Sequence, residues 1–177
     1  MKKNSAFNDF VKPILVLFCI CIAVAALLGY VNSITAPIIE ENARIKAEET
    51  RAAVLSGAQS FTEIKCDTET LGIDSVYKED GGLGYVITAS YKGYGGYVTV
   101  TVGLDPEGTV VGMNADVSTE TSGIGSKAGE PAYAEKYLGI SGSADAVDTI
   151  TGATYSSTAV KTGVNAALAA FDSVKGE

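Results

Sequence analysis

The residues between positions 148 and 158 combine hydroxyl groups, a glycine and the start of a helix. Residues 148–154 read Asp-Thr-Ile-Thr-Gly-Ala-Thr, and residues 155–158 read Tyr-Ser-Ser-Thr. The apolar residues after them have the spacing of one helical face: Val160, Val164, Ala167, Leu168 and Phe171. Because a helix N-terminus offers unpaired N–H groups and the positive end of the helix dipole, a phosphate on Thr154 would lie where an anion is stabilised.

Small and polar residues complete this segment. Gly152 and Ala153 leave room for a bulky group to approach the backbone. The run Thr154-Tyr-Ser-Ser-Thr158, just ahead of the apolar face, is rich in preferred N-cap residues. An ordinary glycine turn at Gly152, with Ser156 or Ser157 as a simple helix cap, is the alternative interpretation of the same residues.

A second candidate segment is the glycine-rich loop Glu120-Thr-Ser-Gly-Ile-Gly-Ser-Lys127. The spacing of Gly123 and Gly125 is not that of a dinucleotide fingerprint, so a plain glycine-rich turn is an open alternative. Lys127 is the only cation between Lys92 and Lys136. Its charge is a candidate to offset negative charge on a bound group, and a solvated surface lysine is the open alternative.

Residues 148–154 resemble the flavinylation motif, Asp-x-x-Ser/Thr-Gly-Ala-Thr, of the FMN-binding domain family. The loop at 120–125 is similar to the Glu-Thr-Pro-Gly-Leu-Gly loop of that family, with Ser122 in place of proline. The resemblance implies that FMN is joined to the Thr154 hydroxyl through a phosphodiester bond. It also implies a maturation partner, a flavin transferase that uses FAD and releases AMP.

The resemblance implies one cofactor site built from both segments, with no catalytic or metal-ligating residue. The predicted FMN-binding residues are Thr154, Asp148, Thr151, Gly152, Ala153, Ser156, Ser157, Glu120, Thr121, Gly123, Gly125 and Lys127. Three tyrosines, Tyr91, Tyr94 and Tyr97, are further candidates for stacking on the flavin, although core or strand-surface positions are the commoner case for tyrosine.

Composition excludes several other classes of function. Histidine is absent, which excludes Ser-His-Asp and Cys-His catalysis and histidine-ligated zinc or haem. The three cysteines, Cys19, Cys21 and Cys66, do not form the pattern of a disulfide scaffold. From Asn32 onward there are 10 basic and 20 acidic residues, a net charge of −10. Such a surface should not bind nucleic acid.

An apolar segment near the N-terminus predicts a membrane anchor. Residues 14–31 contain no charge, and 18 residues is at the lower limit for a helix that spans a bilayer. A cleaved signal peptide is the alternative, but its apolar core would be shorter, about 7–15 residues. We therefore expect an anchor in residues 1–33, a helical stalk in residues 34–57 that begins near Pro37, and a cofactor domain in residues 58–177.

Alternating apolar and polar residues predict four strands in that domain, at 73–79, 85–91, 97–102 and 109–117. Turns are predicted at 79–82 and 105–108. A helix is predicted at 131–138, and residues 61–74 give no signal. Strands grouped before helices favour an α+β domain with an antiparallel sheet.

The order of these features is similar to that of the G subunits of Rnf electron-transport complexes within the family. This likeness implies an electron-carrier subunit of an ion-translocating ferredoxin:NAD oxidoreductase in the cell membrane, with other Rnf subunits as partners. One alternative is the C subunit of the Na⁺-translocating NADH–quinone reductases, which shares the motif but is typically longer. Another is an anchored, non-redox domain that binds a ligand or partner through the glycine-rich loop.

The charges that flank the apolar segment predict its orientation. Lys2, Lys3 and Lys12 precede the segment and acidic residues predominate after it, so the N-terminus is expected in the cytoplasm and the domain outside. Reporters fused at residue 60 or beyond should work only if they are active outside the cytoplasm. Protection of the domain from protease in sealed right-side-out vesicles would contradict this orientation.

Overall fold

A computed structural model describes residues 11–175 of the 177-residue chain. The chain divides into two compact units, one ending at Lys46 and the other beginning at Ala47. Helix α1, Lys12–Val54, has a mean hydropathy of 2.9 in its most apolar 18-residue window. It is therefore long and apolar enough to cross a membrane. Lys2 and Lys3, two of the three lysines on which the predicted orientation rests, lie outside the described residues.

The prediction that a second helix begins near Pro37 is wrong, because α1 continues through Pro37 without interruption; the division into anchor and stalk stays a prediction. Proline removes one amide donor from the helix ladder. Nearby hydroxyls add side-chain bonds to the preceding turn: Ser33 donates to the carbonyl of Tyr30 at 2.7 Å, and Thr35 to that of Val31 at 3.0 Å. After the proline, the sequence is rich in Ala, Glu, Lys and Arg, which favour helix. One missing donor is not enough to end it.

The second unit contains a five-stranded antiparallel sheet whose strands lie in chain order. The strands are β1 (Phe61–Ile64), β2 (Ser75–Glu79), β3 (Tyr85–Lys92), β4 (Tyr97–Leu104) and β5 (Val110–Asp116). Strands β2 to β5 confirm the four predicted strands, and the α+β class is confirmed. Strand β1 and the short helix α2 (Thr68–Leu71) were not predicted, because β1 has four residues and none of them is fully buried.

The helix predicted at 131–138 lies at the expected position, but the structure divides it into a short α-helix and a 3₁₀ turn. A 3₁₀ helix, Gly125–Gly129, is followed by α3 (Pro131–Ala134) and a second 3₁₀ turn, Glu135–Tyr137. The last helix, α4, spans Thr154–Val174, so it includes the residues that were expected to cap it.

Helix α4 packs its apolar face on β3 and β4. All five residues of the predicted face are buried: Val160, Val164, Ala167, Leu168 and Phe171. A smaller cluster is formed by Val54 and Leu55 with Val86 of β3. Sheet and helix together hold the end of β3 and the start of α4 in fixed positions.

Two facing glycines let the end of α1 approach the sheet. Gly103 of β4 and Gly112 of β5 are paired across the sheet. A Cβ atom on either would lie 2.3 or 2.1 Å from the carbonyl oxygen of Val54. Real Cβ atoms do not approach a backbone oxygen so closely, so both positions require glycine.

We therefore expect Gly112→Ala to lower the free energy of unfolding by about 1–3 kcal/mol, the usual cost of overpacking a core. Gly81→Ala is the control, since its added Cβ would meet only the side chain of Glu79, at 3.0 Å. The measurement is thermal unfolding of the full chain in detergent. Equal melting temperatures for the two variants would contradict the close packing of α1 on this sheet.

Candidate functional site

Thr154 is the first residue of α4 and is exposed. The first main-chain bond of the helix runs from the N–H of Ser157 to the carbonyl of Ala153, at 2.9 Å. The N–H groups of Thr154, Tyr155 and Ser156 therefore have no carbonyl partner within the helix. A hydroxyl that can carry a phosphate thus lies at the positive end of a 21-residue helix.

A glycine turn leads into this helix. The N–H of Ala153 donates to the carbonyl of Ile150 at 2.9 Å. Gly152 has a φ of +84°, a left-handed conformation that other residues rarely adopt. No atom lies within 4 Å of the position that a Cβ on Gly152 would take. The turn therefore requires glycine for its conformation, and the space beside it is open.

The wall opposite Thr154 is built around the side chain of Glu120, which is only 8% exposed. One carboxylate oxygen accepts from the N–H groups of Gly95 and Gly96, at 3.0 and 3.3 Å. The other accepts from the N–H of Tyr94, at 3.3 Å, and from the hydroxyl of Ser156. Glu120 thus joins three segments: its own loop, the β3–β4 turn and the first turn of α4.

Burial alone would raise the pKa of the Glu120 carboxyl. The hydrogen bond from Ser156, followed by those from Gly95, Gly96 and Tyr94, outweighs burial and holds the pKa below its usual value. The side chain is therefore a carboxylate at neutral pH. It adds negative charge to the wall of the site.

Glycines surround this carboxylate because nothing larger fits. A Cβ on Gly93 would lie 2.5 Å from a Glu120 oxygen, and one on Gly125 would lie 2.8 Å from the other. A Cβ on Gly95 would lie 2.1 Å from the carbonyl oxygen of Thr119. The glycines at 93–96 and at 125 therefore allow the loops to close on Glu120.

A pocket of about 300 Å³ lies between these segments. Its lining comprises Tyr94, Glu120, Thr121, Ile124, Gly125, Gly152, Ala153, Thr154, Tyr155 and Ser156. Tyr94 and Tyr155 are 73% and 71% exposed, and their ring centroids lie 6.4 Å apart. The pocket thus combines helix N–H donors at one end with an exposed aromatic rim.

The structure brings seven of the twelve predicted residues together in this lining. They are Glu120, Thr121, Gly125, Gly152, Ala153, Thr154 and Ser156. The other five do not line it: Asp148, Thr151, Gly123, Lys127 and Ser157. Asp148, Thr151 and Lys127 are exposed, and Gly123 is in a turn with a φ of +76°. The effect expected of Lys127 on a bound group stays a prediction.

The alternative interpretation, in which Ser156 or Ser157 caps α4, is wrong. The N-cap residue is Ala153, and no side chain caps the helix. Ser156 donates to Glu120 instead, and Ser157 donates to the carbonyl of Ala153 at 2.8 Å. A distant carboxylate, which the local pattern does not contain, decides the role of Ser156.

Among the tyrosines considered for stacking, only Tyr94 lines the pocket. The Tyr91 hydroxyl donates to the carbonyl of Gly72, at 2.8 Å, and Tyr97 is exposed outside the lining. Tyr155 and Ile124 were missed, although each adjoins a predicted residue. The only sequence signal was this adjacency, since the rim forms only when the two loops meet.

Comparison with known proteins finds a family similar to this region. Residues 93–169 match the model of the FMN-binding domain. The matched range begins in the glycine turn that donates hydrogen bonds to Glu120, and it ends within α4. It therefore includes every residue that lines the pocket.

Two curated relatives match most of the chain. One is the G subunit of the Na⁺-translocating ferredoxin:NAD⁺ oxidoreductase complex of Acetobacterium woodii, 29% identical over 188 residues and covering 90% of each chain. The other is the G subunit of the proton-translocating ferredoxin:NAD⁺ oxidoreductase complex of Clostridium ljungdahlii, 24% identical over 160 residues and covering 84% of each. Both likenesses extend well beyond the pocket.

The depressed pKa of Glu120 predicts how stability depends on pH. Because the unfolded state binds the proton first as pH falls, the contribution of Glu120 is full above its unfolded pKa and is lost as pH drops through the lower folded value. Glu120→Gln should reduce the free energy of unfolding by about 1–3 kcal/mol at pH 7, since one amide oxygen cannot replace two carboxylate oxygens.

The difference between wild type and Glu120→Gln should shrink as the pH is lowered below about 4. Denaturant unfolding of the full chain in detergent at several pH values measures it. Glu107→Gln, in the exposed β4–β5 turn, is the matched control and should change little. A Glu120→Gln deficit that stays constant from pH 7 to pH 3 would contradict the role of the charge.

Proposed function

We propose, from the match of residues 93–169 to the model of the FMN-binding domain, that FMN is attached covalently to the Thr154 hydroxyl. The observation that carries the proposal is the position of this threonine. It is the exposed first residue of α4, at the edge of a pocket, in the last position of a motif that resembles the family's flavinylation sequence.

The pocket residues fit both ends of FMN. The free N–H groups of the first turn of α4 suit a phosphate ester on Thr154, as do the positive helix end and the open space beside Gly152. Tyr94, Tyr155 and Ile124 offer apolar surface for an aromatic ring system. At about 300 Å³ the pocket is at the small end of ligand sites, so part of the ring system stays accessible from outside.

Attachment requires a separate enzyme. Glu120 is the one carboxylate among the described residues that line the pocket, and its oxygens already accept four hydrogen bonds. Thr154 is therefore an acceptor without its own base. In the proposed transfer, an Oγ–P bond forms to the FMN half of FAD and the pyrophosphate P–O bond breaks. AMP leaves, and the hydroxyl proton is released.

We further propose that the protein is an electron-carrier subunit of an Rnf-type ferredoxin:NAD⁺ oxidoreductase complex. Two relatives named as G subunits of such complexes support this, because the likeness covers 84–90% of each chain. They are named for different ions, Na⁺ and H⁺. The bound flavin supplies the redox chemistry, while the protein supplies position, a tether and an exposed rim for electron exchange.

Helix α1 supports a single-pass membrane anchor in the cell membrane, with the flavin domain outside the cytoplasm. Its apolar window has the length and composition of a membrane span. A covalent bond suits this location, because a cofactor that dissociates outside the cell would be lost by dilution. The tether keeps FMN on the domain while its ring remains free to exchange electrons.

Thr154→Val tests the proposal directly. It removes one hydroxyl from a nearly isosteric side chain, so we expect complete loss of covalent flavin with an unchanged melting temperature. Flavin fluorescence of the denatured protein on a gel is the measurement, after coexpression with a flavin transferase. Thr158→Val, one turn further along α4 and also exposed, is the matched control and should be labelled normally.

Intact mass of the wild-type protein should show the addition of one FMN minus water. Undiminished fluorescence in Thr154→Val would move the attachment to another residue. A wild-type protein that stays colourless after coexpression would favour a non-redox domain that binds a ligand or partner.

A further inference from the structure

The segment that precedes Thr154 is held by side chains rather than by secondary structure. Residues 144–150 form turns and bends, with no helix or strand among them. Main-chain N–H and C=O groups without a ladder need other partners. In this segment the partners come largely from one line of residues on α4.

Three residues of α4, four positions apart, make these contacts; we call Ser157, Lys161 and Asn165 the polar stripe. The N–H of Ile150 donates to the Ser157 hydroxyl at 3.1 Å. The Lys161 ammonium donates to the carbonyl of Val147, also at 3.1 Å. Residues four apart lie on the same side of a helix, so the stripe is continuous.

Asn165 holds the far end of the segment through both of its amide atoms. Its Oδ1 accepts from the N–H of Ala144, and its Nδ2 donates to a carboxylate oxygen of Asp145, each at 2.7 Å. The partner positions fall from 150 through 147 to 144 as the stripe positions rise from 157 through 161 to 165. The segment therefore runs antiparallel to α4, with one bond about every turn.

A fifth hydrogen bond holds the motif from another helix. The buried Tyr133 hydroxyl donates to the carbonyl of Asp148 at 3.3 Å, and the Tyr137 hydroxyl donates to Tyr133 at 3.0 Å. Asp148, Thr151 and Gly152 themselves are exposed. Side chains of the domain thus hold the backbone of the motif in place. The residues that resemble the flavinylation sequence remain exposed to solvent.

We propose that Ser157, Lys161 and Asn165 are positioning residues that hold residues 144–150 in the conformation in which a flavin transferase recognises the motif before Thr154. This inference rests on the proposed attachment of FMN at Thr154. The stripe acts through the backbone of the motif. Its loss should slow flavin transfer by loosening the segment, without removing the acceptor hydroxyl.

Two substitutions at Lys161 distinguish the loss of its hydrogen bond from the loss of its side chain. Lys161→Met keeps an unbranched apolar stem and removes the donor to Val147, whereas Lys161→Arg keeps a charged donor. We expect apo Lys161→Met to be labelled by FAD and flavin transferase roughly tenfold more slowly than wild type, the effect of one charge-assisted hydrogen bond. Lys161→Arg should recover most of the rate, and Asn165→Ala should slow it as Lys161→Met does.

Two controls separate positioning from general stability. Thr162→Ala removes a hydroxyl that bonds within α4, to the carbonyl of Thr158, and should be labelled at the wild-type rate. Gly112→Ala loosens the sheet against α1, so it reports what lost stability alone does to labelling. Hydrogen exchange of the apo proteins gives a second readout: exchange over residues 144–153 should accelerate in Lys161→Met and Asn165→Ala only.

Wild-type labelling rates in Lys161→Met and Asn165→Ala, with Thr154→Val unlabelled, would overturn the positioning role while leaving the attachment site intact. Slow labelling in Gly112→Ala at an equal loss of melting temperature would also overturn it, because stability alone would then explain the rates. Should Lys161→Met fail to fold, the labelling rates of Asn165→Ala and Ser157→Ala are compared with those of wild type and Gly112→Ala in the same way. Labelling that persists in Thr154→Val would instead refute the proposed attachment.

Discussion

The burial of one carboxylate, that of Glu120, organises the site. An ionised side chain in a protein interior must be compensated, and this one accepts four hydrogen bonds from two segments that are distant in sequence. Three donors are backbone N–H groups of the β3–β4 turn, and the fourth is the Ser156 hydroxyl. Satisfying a single charge therefore fixes the loop, the turn and the start of α4 relative to one another.

The glycines of these loops follow from that requirement. Backbone N–H groups reach the carboxylate only if no Cβ intervenes, and a Cβ on Gly93 or Gly125 would collide with it. The same close approach leaves the rim of the pocket to the larger side chains of Tyr94, Ile124 and Tyr155. Small residues thus form the base of the pocket and aromatic residues form its edge.

Helix α4 serves the domain through two different sides. Its apolar side buries Val160, Val164 and Leu168 against the sheet. Its polar stripe bonds to the backbone of residues 144–150. Because Thr154 is the first residue of this same helix, the packing of α4 on the sheet also sets the position of the acceptor hydroxyl.

The positive potential in the pocket comes from backbone dipoles and not from basic side chains. The region after Asn32 has a net charge of −10, and the described residues that line the pocket include a carboxylate but no lysine or arginine. A phosphate on Thr154 would therefore depend on the unpaired N–H groups of α4 for its stabilisation. The ionised Glu120 disfavours further negative charge in the pocket.

The sequence by itself determined the features whose patterns are local. Period-two alternation predicted β2 to β5, and helical spacing predicted the buried face of α4. The motif at 148–154 and the loop at 120–125 were sufficient to find the resemblance to the FMN-binding domain, whose model matches residues 93–169, and most of the residues that line the pocket. The apolar stretch within α1 was equally readable, because length and composition alone define a candidate membrane span.

Tertiary structure decided what local patterns cannot contain. Ser156 carries the same signal as a helix cap, but a carboxylate 36 positions away recruits its hydroxyl. Lys161 and Asn165 are ordinary polar residues of a helix until the chain before Thr154 folds back along them. Lys127 adjoins the loop in sequence yet lies outside the pocket. Such roles depend on which backbone groups lack partners, and that is settled only when distant segments meet.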